Sequence, residues 1–357
     1  MSSEVFYSSL ENKRLQSPLN KLKRLFNKCS KNLDFESKQL TAIKTHFGEY
    51  GNTAFIKPVY LRPIIDQVMK LQLKPFLVDT NTLYVGMRTN TVDHLHNAAL
   101  NGFNYSTFQI PVVIADGLRG ENTVDVKIEN GEILDIAKVA SDIYHADAMV
   151  VVSHFKGHEL SGIGGAIKNL SMGCASRQGK LIMHSTSKPV VNTDKCTSCG
   201  LCAENCAADA ILLEPKARIT DKCTGCTRCV AVCPESTIEI DWNESSENTQ
   251  KKMAEYAKAV HSLFPNRIFF INIITDVAPT CDCFPANDQS VCPDIGFLSS
   301  TDPVAADKAS YDLVAKNSKG GQDPFSRIYT EIDPLIQLKH AEKISLGSLN
   351  YDLKTVK

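Results

Sequence analysis

Neither sign of charge is in excess: 39 Lys and Arg stand against 40 Asp and Glu, a formal net charge of −1 at pH 7. A chain so balanced lacks the basic surplus that phosphate backbones attract, which excludes nucleic acid as a default partner. No apolar run approaches the roughly 18 to 20 residues that span a bilayer, so no membrane partner is expected. The opening Met1-Ser2-Ser3-Glu4-Val5 lacks a basic segment followed by an apolar one, and predicts no secretory signal. At 357 residues, 43% hydrophobic and 22% charged, the chain suits one large α/β body plus a module.

Cysteine, by contrast, is abundant, with 13 residues. Eight of them fall in two segments offset by 27 residues: Cys196, Cys199, Cys202 and Cys206, then Cys223, Cys226, Cys229 and Cys233. Each segment reads C-x2-C-x2-C-x3-C, and Asp194-Lys195 and Ile211 recur as Asp221-Lys222 and Ile238. Three thiolates at i, i+3 and i+6 wrap one iron–sulfur cube, and the fourth heads a helix that crosses to the other cube. The spacing predicts two [4Fe–4S] clusters, one on Cys196, Cys199, Cys202 and Cys233, the other on Cys223, Cys226, Cys229 and Cys206. Zinc knots favour paired C-x2-C units closing a tetrahedron, which this three-plus-one pattern fits badly. Metal-ligand spacing in place of disulfide pairing also predicts a reducing, cytoplasmic setting.

The segment 191–241 resembles the two-cluster bacterial ferredoxins, although Ala207 stands where the second repeat has Pro234. Flanking polar stretches, Ser185-Thr186-Ser187-Lys188-Pro189 and Asn243 to Asn248, look like linkers. The expected organisation is an α/β body over 1–190, a ferredoxin-like insert over 191–241, and the rest of the body over 242–357.

Around the insert, short β-branched runs end in polar residues. Phe76-Leu77-Val78 leads to Asp79, Val112-Val113-Ile114-Ala115 to Asp116, Met149 to Val152 to Ser153-His154, and Ile268 to Ile274 to Thr275-Asp276. These read as buried parallel strands of an open α/β sheet, with helices predicted from Ser17-Pro18, from Lys251 to Leu263, and after Asp302-Pro303 and Asp333-Pro334. A further strand is expected over Ala42 to Glu49, carrying Lys44 and His46 on one face. Ligands of open sheets bind beyond the carboxyl ends of the strands, which nominates Asp79, Asp116, His154 and Asp276.

The densest polar stretch follows the strand at 149–152. It holds His154, Lys156, His158, Lys168, Asn169, Arg177, Lys180 and His184 around the glycines 162, 164 and 165. Glycines admit a close anion and a following helix N-terminus adds positive potential, so this loop is expected to hold a phosphate or carboxylate, with histidines moving protons. Its spacing is not the dinucleotide fingerprint. Cys281-Asp282-Cys283 is expected to ligate a metal or to present redox thiols.

Taken together, Ile43 to Glu49, Asp79 to Tyr84 with Arg88, Ser153 to Gly157, Gly165 to Asn169, Met172-Gly173-Cys174, Gly179-Lys180, Cys281-Asp282-Cys283 and Asp302 to Ala305 resemble the iron–sulfur branch of the family called domain of unknown function 362. The resemblance spans nearly the whole chain; it implies cytoplasmic iron–sulfur proteins and no established reaction. His158, Gly162, Gly165 and Lys168 are similar to a motif of the N-terminal domain of lactate racemases, where the lysine anchors a nickel pincer cofactor and histidines move protons. That similarity implies a cleft with Lys168 and His158 near its floor.

The expectation is an oxidoreductase that relays electrons between a soluble donor or acceptor and a small anionic substrate or cofactor, with a further metal or flavin conceivable. Lys44, Lys156, Lys168, Arg177 and Lys180 would hold the anion, His46, His154 or His158 would supply protons, and Cys281 and Cys283 would act as thiols or ligands. The alternatives are an electron carrier whose body is a docking platform, which predicts no polar cleft, and a non-redox isomerase or lyase.

Overall fold

The computed structural model describes residues 2–11, 16–84, 86–185, 188–241 and 243–356. Thr186 and Ser187 of the first expected linker lie outside the described residues. Eight strands make one sheet: β1 (Ser3–Ser9), β2 (Leu40–Lys44), β3 (Lys74–Asp79), β4 (Val112–Ile114), β5 (Ala148–His154), β6 (Ile268–Ile274), β7 (Gly296–Ser300) and β8 (Tyr351–Thr355). Their order is β8-β1-β7-β6-β5-β2-β3-β4. β7 runs antiparallel to β1 and β6, and the other five pairings are parallel. The chain is thus an α/β protein with a mostly parallel sheet.

Alternate side chains of a strand leave opposite faces, so strands apolar throughout demand cover on both sides. Val150, Val152, Ile271 and Ile273 pack under α1 (Pro18–Cys29) and α2 (Leu61–Lys70), against Leu22, Leu25, Phe26, Ile64 and Ile65. Met149, Val151, Phe270 and Ile274 face α3 (Ala166–Ser171), α4 (Arg177–His184), α5 (Ser246–Ser262) and α6 (Pro303–Asn317). Two of these helices start where their caps dictate. Ser17 Oγ accepts from Leu19 N–H, and the Asp302 carboxylate accepts from Val304 and Ala305 N–H at 2.8 and 3.0 Å.

Three boundaries differ from expectation. The strand expected to reach Glu49 ends at Lys44, and the chain turns away through Gly48 at φ 72°. The polar run 243–248 is not all linker: Ser245 caps Asn248 N–H at 3.1 Å and starts α5 at Ser246, ahead of the expected Lys251. After Asp333-Pro334 the helix begins only at Ile336, because the Asp333 carboxylate holds Leu335 N–H at 2.9 Å in the preceding turn.

The cysteine-rich segment builds its own small core. Val190–Val191 pairs with Ile238–Glu239 and Ile211–Leu213 with Ala217–Ile219, both antiparallel. Cys196, Cys202, Cys229, Ile211, Val230 and Ile238 share a cluster that also takes in Leu83 and Leu181 of the body. The sequence repeat reappears in the backbone. Left-handed residues occur in pairs 27 positions apart: Ser198 and Gly225, Gly200 and Thr227, Asp209 and Ser236. Non-glycine residues rarely adopt that region, so it marks a constrained path. The path aims amides at sulfur in matching pairs. Ser198 and Gly225 N–H point at Cys196 and Cys223 Sγ, each at 3.4 Å, and Ala210 and Thr237 N–H at Cys206 and Cys233 Sγ, at 3.2 and 3.3 Å.

Candidate functional site

A cavity of about 870 Å³ opens past the carboxyl ends of β2, β3 and β5. His46, Asp79, His154, Lys156, His158, Lys168, Asn169, Lys180, His184, Cys281 and Cys283 all reach it. Strand ends supply Asp79 and His154, the hairpin Lys156–His158 with Gly162–Gly164 supplies two more, α3 and α4 supply four, and a turn after β6 supplies the cysteines.

That turn is held by its middle residue. The fully buried Asp282 carboxylate accepts from Lys156 Nζ at 2.9 Å and from His154 Nδ1 at 2.9 and 3.0 Å. His154 Nε2 faces the Thr275 carbonyl at 2.8 Å, so both ring nitrogens donate and neither proton is free to travel. Burial raises the Asp282 pKa, but His154 and then Lys156 outweigh it and hold the carboxyl well below its ordinary value. Phe284 N–H closes the turn on the Cys281 carbonyl at 3.2 Å, so both cysteine side chains turn toward the cavity.

Cys281 Sγ receives Lys168 Nζ at 3.2 Å. His158 Nδ1 accepts the N–H groups of Leu160 and Ser161, both at 3.2 Å, which leaves the proton of a neutral ring on Nε2. The ring lies beside Cys281, with Nε2 also 3.5 Å from Glu159 Oε1. A hydrogen bond from Cys283, and after it the charge of Lys168 and the bond from His158, overcome burial and hold Cys281 well below the ordinary thiol range. The Cys283 pKa is raised by the same bond and by burial. Cys281 is thus the more acidic thiol of the pair. Burial opposes the charge on Lys168, yet the two cysteines raise its pKa, so the ammonium persists.

The remaining cations divide by partner. Lys156 is paired to Asp282, and Arg88 to Glu49 at 2.8 Å, with further bonds to His46 Nε2 and the Tyr84 hydroxyl. Gly48 N–H lies 3.0 Å from His46 Nδ1, and burial and then Arg88 hold the ring's pKa well below the usual value, so it is uncharged. Among the described residues Lys180 Nζ bonds only neutral oxygens at hydrogen-bond distance, Thr80 Oγ1 and the Ala175 carbonyl, both at 2.7 Å, and burial lowers its pKa to about 8. Burial, and then His158 and Lys168, lower His184 to about 3, leaving it neutral.

Lys44, Asp116 and Arg177 do not reach the cavity. Lys44 lies beneath it, bonded to Asp79 Oδ1 at 2.9 Å and Asn169 Oδ1 at 2.8 Å. Asp116 accepts from the Asn81 backbone and side chain, and burial raises its pKa to about 6. Arg177 donates to the Leu83 carbonyl at 3.3 Å, on the side of Cys226 and Cys229. Asp276 pairs with Lys57 away from the cavity. The helix N-terminus expected to receive an anion is already filled: Asp307 takes Ala166 and Ile167 N–H at 2.7 and 2.9 Å, and Gly165 lies so close that a Cβ would meet that carboxylate at 2.3 Å. Anion contact thus falls to side chains.

Sequence reasoning passed over Glu49, Thr80, Tyr84, Arg88 and Asp282 as site residues. Asp282 is flanked by two cysteines, and the other four lie in segments that carry the family resemblance; in themselves they sit in loops with no periodicity. In the cysteine-rich segment, a small cavity is lined by Cys196, Cys199, Cys202 and Cys233, while Cys223 and Cys226 lie within electrostatic reach of Cys229, and Cys206 and Cys226 of Arg228. All thirteen cysteines are unpaired. Among the described residues, no three of His, Cys, Asp or Glu converge on a single metal-ion position.

The chain belongs to the family described as Domain of unknown function (DUF362), which matches residues 41–312. No curated protein matches it by sequence. Among solved structures it is similar to the lactate racemase apoprotein of Thermoanaerobacterium thermosaccharolyticum, at 14% identity and TM-score 0.40, over 77% of this chain and 51% of that one. A structural-genomics protein of Thermotoga maritima is similar at 10% identity and TM-score 0.40, over 91% of this chain and 59% of that one. The chain spans between half and three-fifths of the length of these structures. Among the described residues no helix is long and apolar enough to cross a membrane.

Proposed function

We propose that the protein is an iron–sulfur oxidoreductase that delivers electrons to a small anionic substrate in the sheet-end cavity. The observation that carries this reading is the shared wall between cavity and cysteine octet. Lys180 and His184 of α4 face the cavity, while Leu181 packs at Gly225 and joins the cysteine-rich core; Leu83 belongs to both. α4 thus contributes side chains to both, and a helix is about 10 Å across.

The cysteines suit cubane clusters on chemical grounds. Each iron takes one thiolate, so the sulfurs should ring a space, in keeping with the lining of the small cavity by Cys196, Cys199, Cys202 and Cys233. Four sulfurs accept backbone amides, as electron-rich cluster ligands require. Two clusters held there would supply single electrons at low potential. The chain's own residues do the rest. Lys168 and Lys180, which among the described residues have no carboxylate at hydrogen-bond distance, hold the anion, and Cys283 and His158 supply protons beside Cys281. A mere docking platform would have no reason to keep a cavity so lined.

Protein purified anaerobically, reduced with dithionite and mixed with a panel of small carboxylates and phosphate esters should lose its reduced-cluster spectrum with at least one of them. The Lys168→Met and Lys180→Met variants should lose that response while retaining iron. Iron-loaded protein that no anion reoxidises overturns the reading.

A pH dependence follows from Lys180. Its value of about 8 lies below that of an ordinary amine, so the ammonium is lost as pH rises past 8. Sulfate affinity, measured by calorimetry, should fall about tenfold per unit above pH 8, and the slope should vanish in Lys180→Met.

A further inference from the structure

We propose that Cys281 and Cys283 form a reversible dithiol–disulfide couple that gathers single electrons into a pair at the cavity wall. This deepens the redox reading and rests on it for the supply of electrons. The geometry is local. The turn closed by Phe284 N–H places residues i and i+2 on one side, where both side chains line the cavity. Asp282 between them is fixed by His154 and Lys156, so neither cysteine swings away. Cys281 has 1% exposure, and Cys283 is half-buried beside the Tyr84 hydroxyl.

Metal ligation is the competing use of a Cys-x-Cys pair, but a stable site needs further donors. His158 is committed to orienting its proton toward sulfur, Lys168 remains a cation, and no third donor converges there among the described residues. Thiol chemistry fits the neighbours better, since a cation and a ring N–H beside one sulfur stabilise the thiolate that a broken disulfide releases.

On reduction the S–S bond breaks and two electrons enter, one delivered at a time. The Cys283 sulfur takes one proton, and the Cys281 sulfur stays a thiolate beside Lys168. Oxidation returns the electron pair and that proton. A ring closed by one intervening residue is strained, and strained disulfides are the more oxidising, catalytic kind. Such a couple joins one-electron carriers to an acceptor that takes electrons in pairs.

The test equilibrates anaerobic full-length protein with buffers of oxidised and reduced glutathione, quenches with acid, alkylates, and weighs the peptide containing residues 281–283. A single two-electron transition is expected, in which the peptide loses two hydrogens and both alkyl groups together. It should be absent in Cys283→Ser. In Lys168→Met the dithiol loses its thiolate partner, so half-oxidation should occur at a glutathione ratio at least tenfold more reducing. Iron and sulfide measured on the same samples read the clusters separately. A dithiol that titrates in iron-free protein supports the couple and removes its proposed electron supply. Iron-loaded protein in which both thiols remain alkylatable at every ratio, or pair only with other cysteines, overturns the couple alone.

Discussion

With methionine in place of Lys168, the pH midpoint at which Cys281 becomes open to alkylation rises, because the charge that favours its thiolate is gone. The expectation comes from a buried ammonium 3.2 Å from sulfur, at a site where water screens little. Two other donors, Cys283 and His158, remain in the variant, so the thiol does not return fully to its ordinary range. Methionine nearly preserves the volume of the lysine stem, which separates loss of charge from loss of packing. Alkylation of the 281–283 peptide, followed by mass spectrometry across pH, measures the midpoint. An unchanged midpoint would show that Lys168 does not set the state of Cys281.

Replacing Asp282 with alanine destabilises the fold by about 3 to 5 kcal/mol, because it strands Lys156 and a doubly donating His154 in the interior without a counter-charge. The residue ties the hairpin after β5 to the turn after β6. The two segments approach so closely that a Cβ on Gly157 would lie 2.0 Å from the Pro279 carbonyl oxygen. The pH dependence has a definite sign. A carboxyl held below its ordinary value of 3.8 contributes stability above that value and loses it as pH falls further. Urea denaturation at neutral pH should therefore show the full difference between wild type and variant, and that difference should shrink below about pH 4. A loss under about 1 kcal/mol at neutral pH would mean that the cluster is not bearing the charges assigned to it.

The runs that became β3 to β6 were legible because a strand buried on both faces can hardly be anything else: Met149 to Val152 and Ile268 to Ile274 are apolar without interruption. Knowing where such strands end was enough to gather His154, Asp79 and Lys156 near one cavity. The sheet's other edge was not legible. Ser3–Ser9 and Tyr351–Thr355 are half polar, and they join the sheet by pairing with each other across nearly the whole chain length and, for Ser3–Ser9, with Gly296–Ser300. Charged residues misled for a related reason. Lys44 and Arg177 look like ligand contacts in sequence, but each is buried beneath the surface it seemed to line, and only the fold supplies Asp79 or the Leu83 carbonyl as partner. Likewise nothing near Gly165 announces that Asp307, on a distant helix, fills the amides reserved for an anion.

The claim on which the rest depends is that the octet of cysteines ligates two cubane clusters. Iron and acid-labile sulfide, counted per chain after anaerobic purification of the intact protein, test it most directly. The account predicts about eight of each, falling to roughly four in Cys226→Ser. Stoichiometric zinc, or an iron content that the substitution leaves unchanged, would contradict it.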